Sequence, residues 1–120
     1  MTSPTAPLRC AVVGVGYLGR FHAQKYAALP EAELVAVCDP REESGTQVAK
    51  ELNVPWIANY RDLVGKVKAV TIAATTSAHY EIAKFFLENG VHVHVEKPMT
   101  STSRQGEELC QLAEQRQLKL

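Results

Sequence analysis

Three glycines and an aspartate carry the first legible chemistry of the chain. Gly14-Val15-Gly16-Tyr17-Leu18-Gly19 is a G-x-G-x-x-G run. In such a run the first glycine permits a tight turn, the second lets the backbone approach a pyrophosphate, and the third lets a helix pack closely on a strand. Tyr17 and Leu18 open that helix, whose free N–H groups and dipole would face the phosphates. Asp39 stands 20 residues after Gly19, placed to accept hydrogen bonds from a ribose with a free 2′-hydroxyl. A 2′-phosphate would be repelled there, which favours NAD over NADP. Arg41 is close enough to complicate that preference. The competing reading is a glycine turn that only tightens strand–helix packing. A strand before it, a helix after it and an acid at the expected distance favour dinucleotide binding.

The remaining reactive residues follow apolar runs further along the chain. Ala74 and Thr75 leave a fourth run, and His79 stands just beyond them in the first turn of a helix. The helix dipole disfavours a cation there, so His79 reads as a neutral hydrogen-bond donor to a cofactor or a loop. It reads equally well as a packing histidine on an inward stripe. Glu96-Lys97-Pro98 leaves a fifth run. Taken alone, Glu96-Lys97 fits a surface ion pair at a strand end. His92 and His94 share one side of a strand, as a zinc pair would, but no third ligand stands at a recognisable spacing and no metal site is expected. His22 reads as structural.

The elements that must hold these residues alternate along the chain. Apolar runs predict strands over 10–13, 34–38, 54–57, 68–74 and 91–95. Helical patterns fill 17–28, 41–52, 78–88 and 104–115, with a short helical turn at 60–64 capped by Asn59. Expected inward residues are Phe21, Ala23, Tyr26, Ala27 and Leu29 in the first helix, and Val48, Ala49 and Leu52 in the second, where Gly45 weakens the start. His79, Ile82, Ala83, Phe86 and Leu87 form the stripe of the third long helix. Gly106, Leu109, Cys110 and Ala113 form that of the last. Strand–helix alternation makes the class α/β, a doubly wound parallel sheet with strand order 3-2-1-4-5. Residues 118–120 look like the start of a sixth strand beside the fifth. Ligands of such sheets bind at the carboxyl ends of the strands. The exits of the first, second, fourth and fifth strands therefore read as one group.

Length and composition set the bounds. The 120 residues suit one domain, expected over 8–120 behind a flexible arm at 1–7. Thirteen basic and thirteen acidic residues cancel, which argues against a general nucleic-acid or membrane-surface role. No apolar run is long enough for a membrane helix. Three cysteines without motif spacing suggest reduced thiols in a cytoplasmic protein. Cys10 and Cys38 fall in predicted strands, as small buried apolar side chains.

Three stretches together resemble the N-terminal half of the glucose–fructose oxidoreductase / inositol dehydrogenase (Gfo/Idh/MocA) family of NAD(P)-dependent dehydrogenases. They are Gly14 to Gly19, Ile72 to Ala83 with His79, and Gly90 to Pro98 ending in Glu96-Lys97-Pro98. The resemblance covers nearly the whole chain. It implies a Rossmann domain that places Gly14, Gly16, Tyr17, Leu18, Gly19, Asp39, Arg41, Ala74, Thr75, His79, Glu96, Lys97 and Pro98 against the cofactor. It implies that Lys97 lies beside the nicotinamide, where an ammonium group favours a developing alkoxide. Glu96 would hold the nicotinamide ribose or Lys97 itself. The family's fourth-strand exit is usually Thr-Pro. Ala74-Thr75 stands there instead, so the fixed proline dihedral is lost and a less rigid loop is expected.

By the same resemblance the substrate is a sugar, a cyclitol or a nucleotide-activated amino sugar, the last suggested by residues 16–23. Self-association into a homo-oligomer is compatible with it. The family's proton-transfer residues come mainly from a second domain, which these 120 residues do not contain, so the chain is expected to bind cofactor without completing a turnover alone. Two other functions compete. One is a non-catalytic module that senses NAD or completes a site with a partner chain. The other is a methyltransferase, in which Glu96-Lys97-Pro98 would have no role.

Overall fold

The computed structural model describes residues 7–74, 76–95 and 103–120. Five strands form one parallel sheet in the order β3-β2-β1-β4-β5. They are β1 (Leu8–Val13), β2 (Ala32–Cys38), β3 (Trp56–Ile57), β4 (Ala69–Ile72) and β5 (His92–Val95). The helices are α1 (Tyr17–Ala28), α2 (Glu42–Leu52), α3 (Thr76–Glu88) and α4 (Ser103–Gln115), with a 3-10 turn at Tyr60–Leu63. The order is the expected 3-2-1-4-5, and each element lies within a few residues of its predicted bounds.

β1 is the central strand, and its residues are buried from Cys10 onward. Alternate side chains of a strand point to opposite faces, and β1 divides accordingly. Ala11 and Val13 join the larger core with Ile82, Ala83, Phe86, Leu87 and Leu109. Val12 joins the smaller core with Ala23, Leu34, Val37, Val48 and Ala49. Helices therefore cover both faces of the sheet, as the continuous apolar strands require. All five stripe residues of α3 are buried, since the 3.6-residue period keeps them on one side.

Two helices differ from the expected packing. In α1, Phe21 is 57% exposed and Ala27 is also exposed, whereas Ala23 is fully buried; Leu29, 44% exposed, stands just past the end of the helix. The helix presses on the sheet through Gly19 and Ala23. Tyr26 lies on that same face, packed against the smaller core with its hydroxyl 2.6 Å from Thr71 Oγ1, whereas Phe21, two residues from both Gly19 and Ala23, falls on the opposite side of the helix. In α4, Leu109 and Ala113 are buried with Leu112 packed beside them, but Cys110 is exposed, because it lies just outside that stripe. Cys10 and Cys38 are buried thiols in β1 and β2.

Residues 118–120 lie along the outer edge of β5. The Val93 amide donates to the Lys119 carbonyl at 2.9 Å, and the Lys119 amide donates to His92 Nδ1 at 3.0 Å. The edge thus receives a strand-like hydrogen bond at the place where a sixth strand was expected. His94 projects beside His22 of α1, with ring centroids 6.0 Å apart. Among the described residues, no helix is long and apolar enough to cross a membrane.

Candidate functional site

The carboxyl ends of the strands are laced together by backbone hydrogen bonds. Gly14 N–H donates to the Cys38 carbonyl at 2.7 Å, Ala73 N–H to the Val13 carbonyl at 2.8 Å, and Asp39 N–H to the Ile57 carbonyl at 3.1 Å. The exits of β1, β2, β3 and β4 are therefore held at one edge. A cavity of about 830 Å³ opens above them, lined among others by Gly14, Gly16, Asp39, Arg41, Ala74 and Ile82.

Two glycines explain why the turn after β1 is so tight. Gly14 has φ +90°, and a β-carbon on it would lie 2.7 Å from the Ala74 amide nitrogen. A β-carbon on Gly19 would lie 1.6 Å from the Gly14 carbonyl oxygen. The first glycine brings β1 against the β4 exit, and the third lets α1 sit directly on the turn. Gly16 is different. Its nearest neighbour, Arg41 Nη2, would be 3.6 Å from an added β-carbon, so the middle of the turn faces open space. Gly16 is also the N-cap of α1 and brings no side chain to its first amides. A bare helix N-terminus above an open backbone turn fits an anionic group such as a pyrophosphate.

Asp39 is 2% exposed, yet it is charged and fully engaged. Oδ2 accepts the Val15 amide at 3.0 Å and Arg41 Nη2 at 3.3 Å. Oδ1 accepts the Arg41 amide at 2.8 Å and Arg41 Nε at 3.2 Å. Burial by itself would raise the carboxyl pKa. The hydrogen bonds from the Arg41 side chain, the Arg41 amide and the Val15 amide, with the guanidinium charge, outweigh it and hold the pKa below the ordinary range. The carboxylate thereby ties the end of β2 to the glycine turn.

His79 is buried at the start of α3, and its Nε2–H donates to the Ala74 carbonyl at 2.7 Å. It positions the loop leaving β4 from below. Of its two sequence readings, the structure shows a hydrogen bond to a loop made from a packed position.

The third strand exit was not among the residues singled out by sequence, yet Ala58, Asn59, Tyr60 and Arg61 wall the same cavity. Parallel topology was the available signal, because every exit of a parallel sheet reaches the same edge. Asn59 Oδ1 caps the short turn by accepting the Arg61 amide at 3.0 Å. The Arg61 guanidinium lies 4.8 Å from the Tyr60 ring centroid. Gly14, Gly16, Asp39, Arg41 and Ala74 come together at the cavity, with Gly19 packed beneath the turn. Tyr17 and Leu18 form the first turn of α1. Thr75, Glu96, Lys97 and Pro98 lie outside the described residues.

The model of the oxidoreductase family with an NAD-binding Rossmann fold, GFO_IDH_MocA, matches residues 8–120. The chain belongs to the Gfo/Idh/MocA family. Among Gfo/Idh/MocA relatives, the UDP-N-acetylglucosamine 3-dehydrogenase of Acidithiobacillus ferrooxidans is 40% identical over 113 residues, covering 94% of this chain and 36% of that protein. Its solved structure superposes with a TM-score of 0.88 at 38% identity, over 95% of this chain and 37% of that one. The scyllo-inositol 2-dehydrogenase (NAD(+)) of Bacillus subtilis is 38% identical over 97 residues, covering 78% of this chain and 28% of that protein. The scyllo-inositol dehydrogenase of Lactobacillus casei, solved with NAD(H) and scyllo-inositol, superposes with a TM-score of 0.87 at 28% identity, over 94% of this chain and 35% of that one. The chain spans about a third of the length of these Gfo/Idh/MocA proteins.

Proposed function

We propose that residues 8–120 form the cofactor half of an NAD-dependent dehydrogenase. The substrate would be the secondary alcohol of a sugar, a cyclitol or a nucleotide-activated amino sugar. The observation that carries this is the single cavity joining the open glycine turn, the buried Asp39 carboxylate and the β4 exit. In this reading Gly14, Gly16 and the first turn of α1, with Tyr17 and Leu18, hold the pyrophosphate. Asp39 faces the adenosine ribose, favouring NAD over NADP. Ala74, whose carbonyl His79 holds, borders the nicotinamide side together with Thr75 in this reading.

A bound nicotinamide supplies the hydride carrier. Lys97, with Glu96 and Pro98 beside it, would present an ammonium group to the substrate oxygen and favour the alkoxide as its proton leaves. The named activities of the relatives support the substrate class. Substrate-side proton transfer belongs in this reading to a second domain, so the 120-residue chain is expected to bind cofactor without turnover. The buried, unpaired Cys10 and Cys38 thiols suit a cytoplasmic setting.

Fluorescence titration with NADH tests the reading. Saturable one-site binding, lost in Gly14→Val, is expected. Absence of NADH binding by the folded chain would overturn it. In a chain extended to the length of the relatives, Lys97→Ala should abolish sugar-dependent NAD reduction while leaving NADH binding in place. NADH binding without reduction of NAD by any sugar or cyclitol in the extended chain would favour a non-catalytic module.

A further inference from the structure

On its outer side the exit of β2 is held by very little backbone. β3 is two residues long, Trp56–Ile57, and stands at the edge of the sheet, paired with Val37 and Cys38. Two backbone bonds belong to that pairing. The Val37 amide donates to the Pro55 carbonyl and the Asp39 amide to the Ile57 carbonyl, each at 3.1 Å. Neither bond touches the Asp39 carbonyl. Trp56 Nε1–H donates to it instead.

The side-chain bond fixes something the ladder does not. The Asp39 amide belongs to the planar peptide unit before the residue, and the Asp39 carbonyl belongs to the unit after it. Holding one unit leaves the other free to turn about the bonds at Cα. Holding both fixes the direction of the Cα–Cβ bond between them, and with it the aim of the carboxylate. That carboxylate accepts the Val15 amide at 3.0 Å, inside the glycine turn. The indole reaches the carbonyl because α2 offers it a seat at Gly45, where no side chain stands in the way. Among the described residues, the cavity wall includes Asp39 and Ala58 but leaves out Trp56. Any effect of the indole on binding therefore passes through Asp39.

We propose that Trp56 is a positioning residue for cofactor binding. Its indole N–H aims the Asp39 carboxylate at the Val15 amide and so holds the glycine turn in the shape that receives a pyrophosphate. The proposal rests on the cofactor reading above. The path runs from Gly45 through the indole, the Asp39 peptide and the Asp39 carboxylate to Val15, and it ties the seat of α2 to the turn after β1. Without the indole donor, the peptide unit after Asp39 turns more freely and the turn keeps its receptive shape in fewer chains. The apparent affinity for a dinucleotide falls by that fraction.

NADH titration and amide hydrogen exchange of the 120-residue chain, in wild type, Trp56→Phe and Trp56→His, test the proposal. Circular dichroism first confirms that each variant is folded. Phenylalanine keeps a ring over Gly45 and has no donor. Histidine carries Nε2 at the ring position that Nε1 holds in tryptophan, and restores one. Trp56→Phe is expected to bind NADH roughly three- to tenfold more weakly, with faster exchange at the Val15 amide and unchanged exchange in α3. Trp56→His should recover most of both losses. Unchanged NADH affinity in Trp56→Phe, or equal losses in the two variants, would reduce the indole to packing and overturn the proposal. Should neither variant fold, wild type decides. The chain has one tryptophan, so its indole N–H gives a single nuclear magnetic resonance signal. That signal should move with the same midpoint as the NADH titration, and a signal unmoved at saturation would overturn the proposal. Wild type that binds no NADH would remove the dinucleotide reading itself, a result seen before any variant is compared.

Discussion

A β-carbon on Gly45 would stand 2.2 Å from Cδ1 and Nε1 of Trp56, so the indole rests against bare helix backbone. The same Nε1–H donates to the Asp39 carbonyl at 2.9 Å. A glycine that weakens α2 by its helix propensity thus makes room for the ring that braces the end of β2.

Gly45→Ala is therefore expected to destabilise the fold by about 1–3 kcal/mol through overpacking. Propensity alone predicts the opposite sign, a gain of about 1 kcal/mol. Urea unfolding of the two proteins decides between them.

Asp39→Asn is expected to cost about 2 kcal/mol near neutral pH, because Arg41 and the two amides lose an ionised acceptor. The carboxyl pKa is lowered on folding. Its contribution is complete above the unfolded value of about 3.9 and is lost as pH falls through the lower folded value. The stability gap between wild type and variant should be flat from about pH 5 to about pH 8 and should close as pH falls below about 4. Thermal unfolding across pH measures it.

Burial, then the charges of Asp39 and Asp62, push the Cys38 thiol up to about 12. Burial and the nearby Glu33 carboxylate also raise Cys10. Cys110 alone among the three is exposed. Iodoacetamide at about pH 8 should alkylate Cys110 in the native protein and all three thiols in denaturant. Mass spectrometry reads the count, and native alkylation of Cys38 would contradict its burial.

His79→Ala removes the donor to the Ala74 carbonyl and leaves a void under α3. A loss of about 2–4 kcal/mol is expected. His79→Gln, which keeps a donor of similar reach, should recover part of it. Hydrogen exchange should show the larger loss of protection at the β4 exit in the alanine variant.

Much of the fold was legible because its signals are local. Short continuous apolar runs marked the strands, and the 3.6-residue stripe from His79 to Leu87 marked the buried face of α3. The same logic failed for α1. There Phe21 is the largest apolar side chain, but Gly19, Ala23 and Tyr26 make the contact face and Phe21 stands on the other side of the helix. Hydrophobicity said which side chains prefer burial. It did not say which side of the helix would meet the sheet.

The glycine spacing, the acid that follows it and the strand–helix alternation determined by themselves that this chain is a parallel α/β domain with a phosphate-compatible turn. Each of those features acts within one or two turns of the backbone. Only the tertiary structure decided that Asn59 to Arg61 share the cavity, that Gly45 makes way for Trp56, and that Arg41 and the Val15 amide fill the Asp39 carboxylate. Apart from the Asp39–Arg41 contacts, which span two residues, those relationships join elements that are separate in the chain and adjacent in the sheet. They take shape when the sheet order brings the strand exits to one edge, where the length and reach of each side chain decide what it meets.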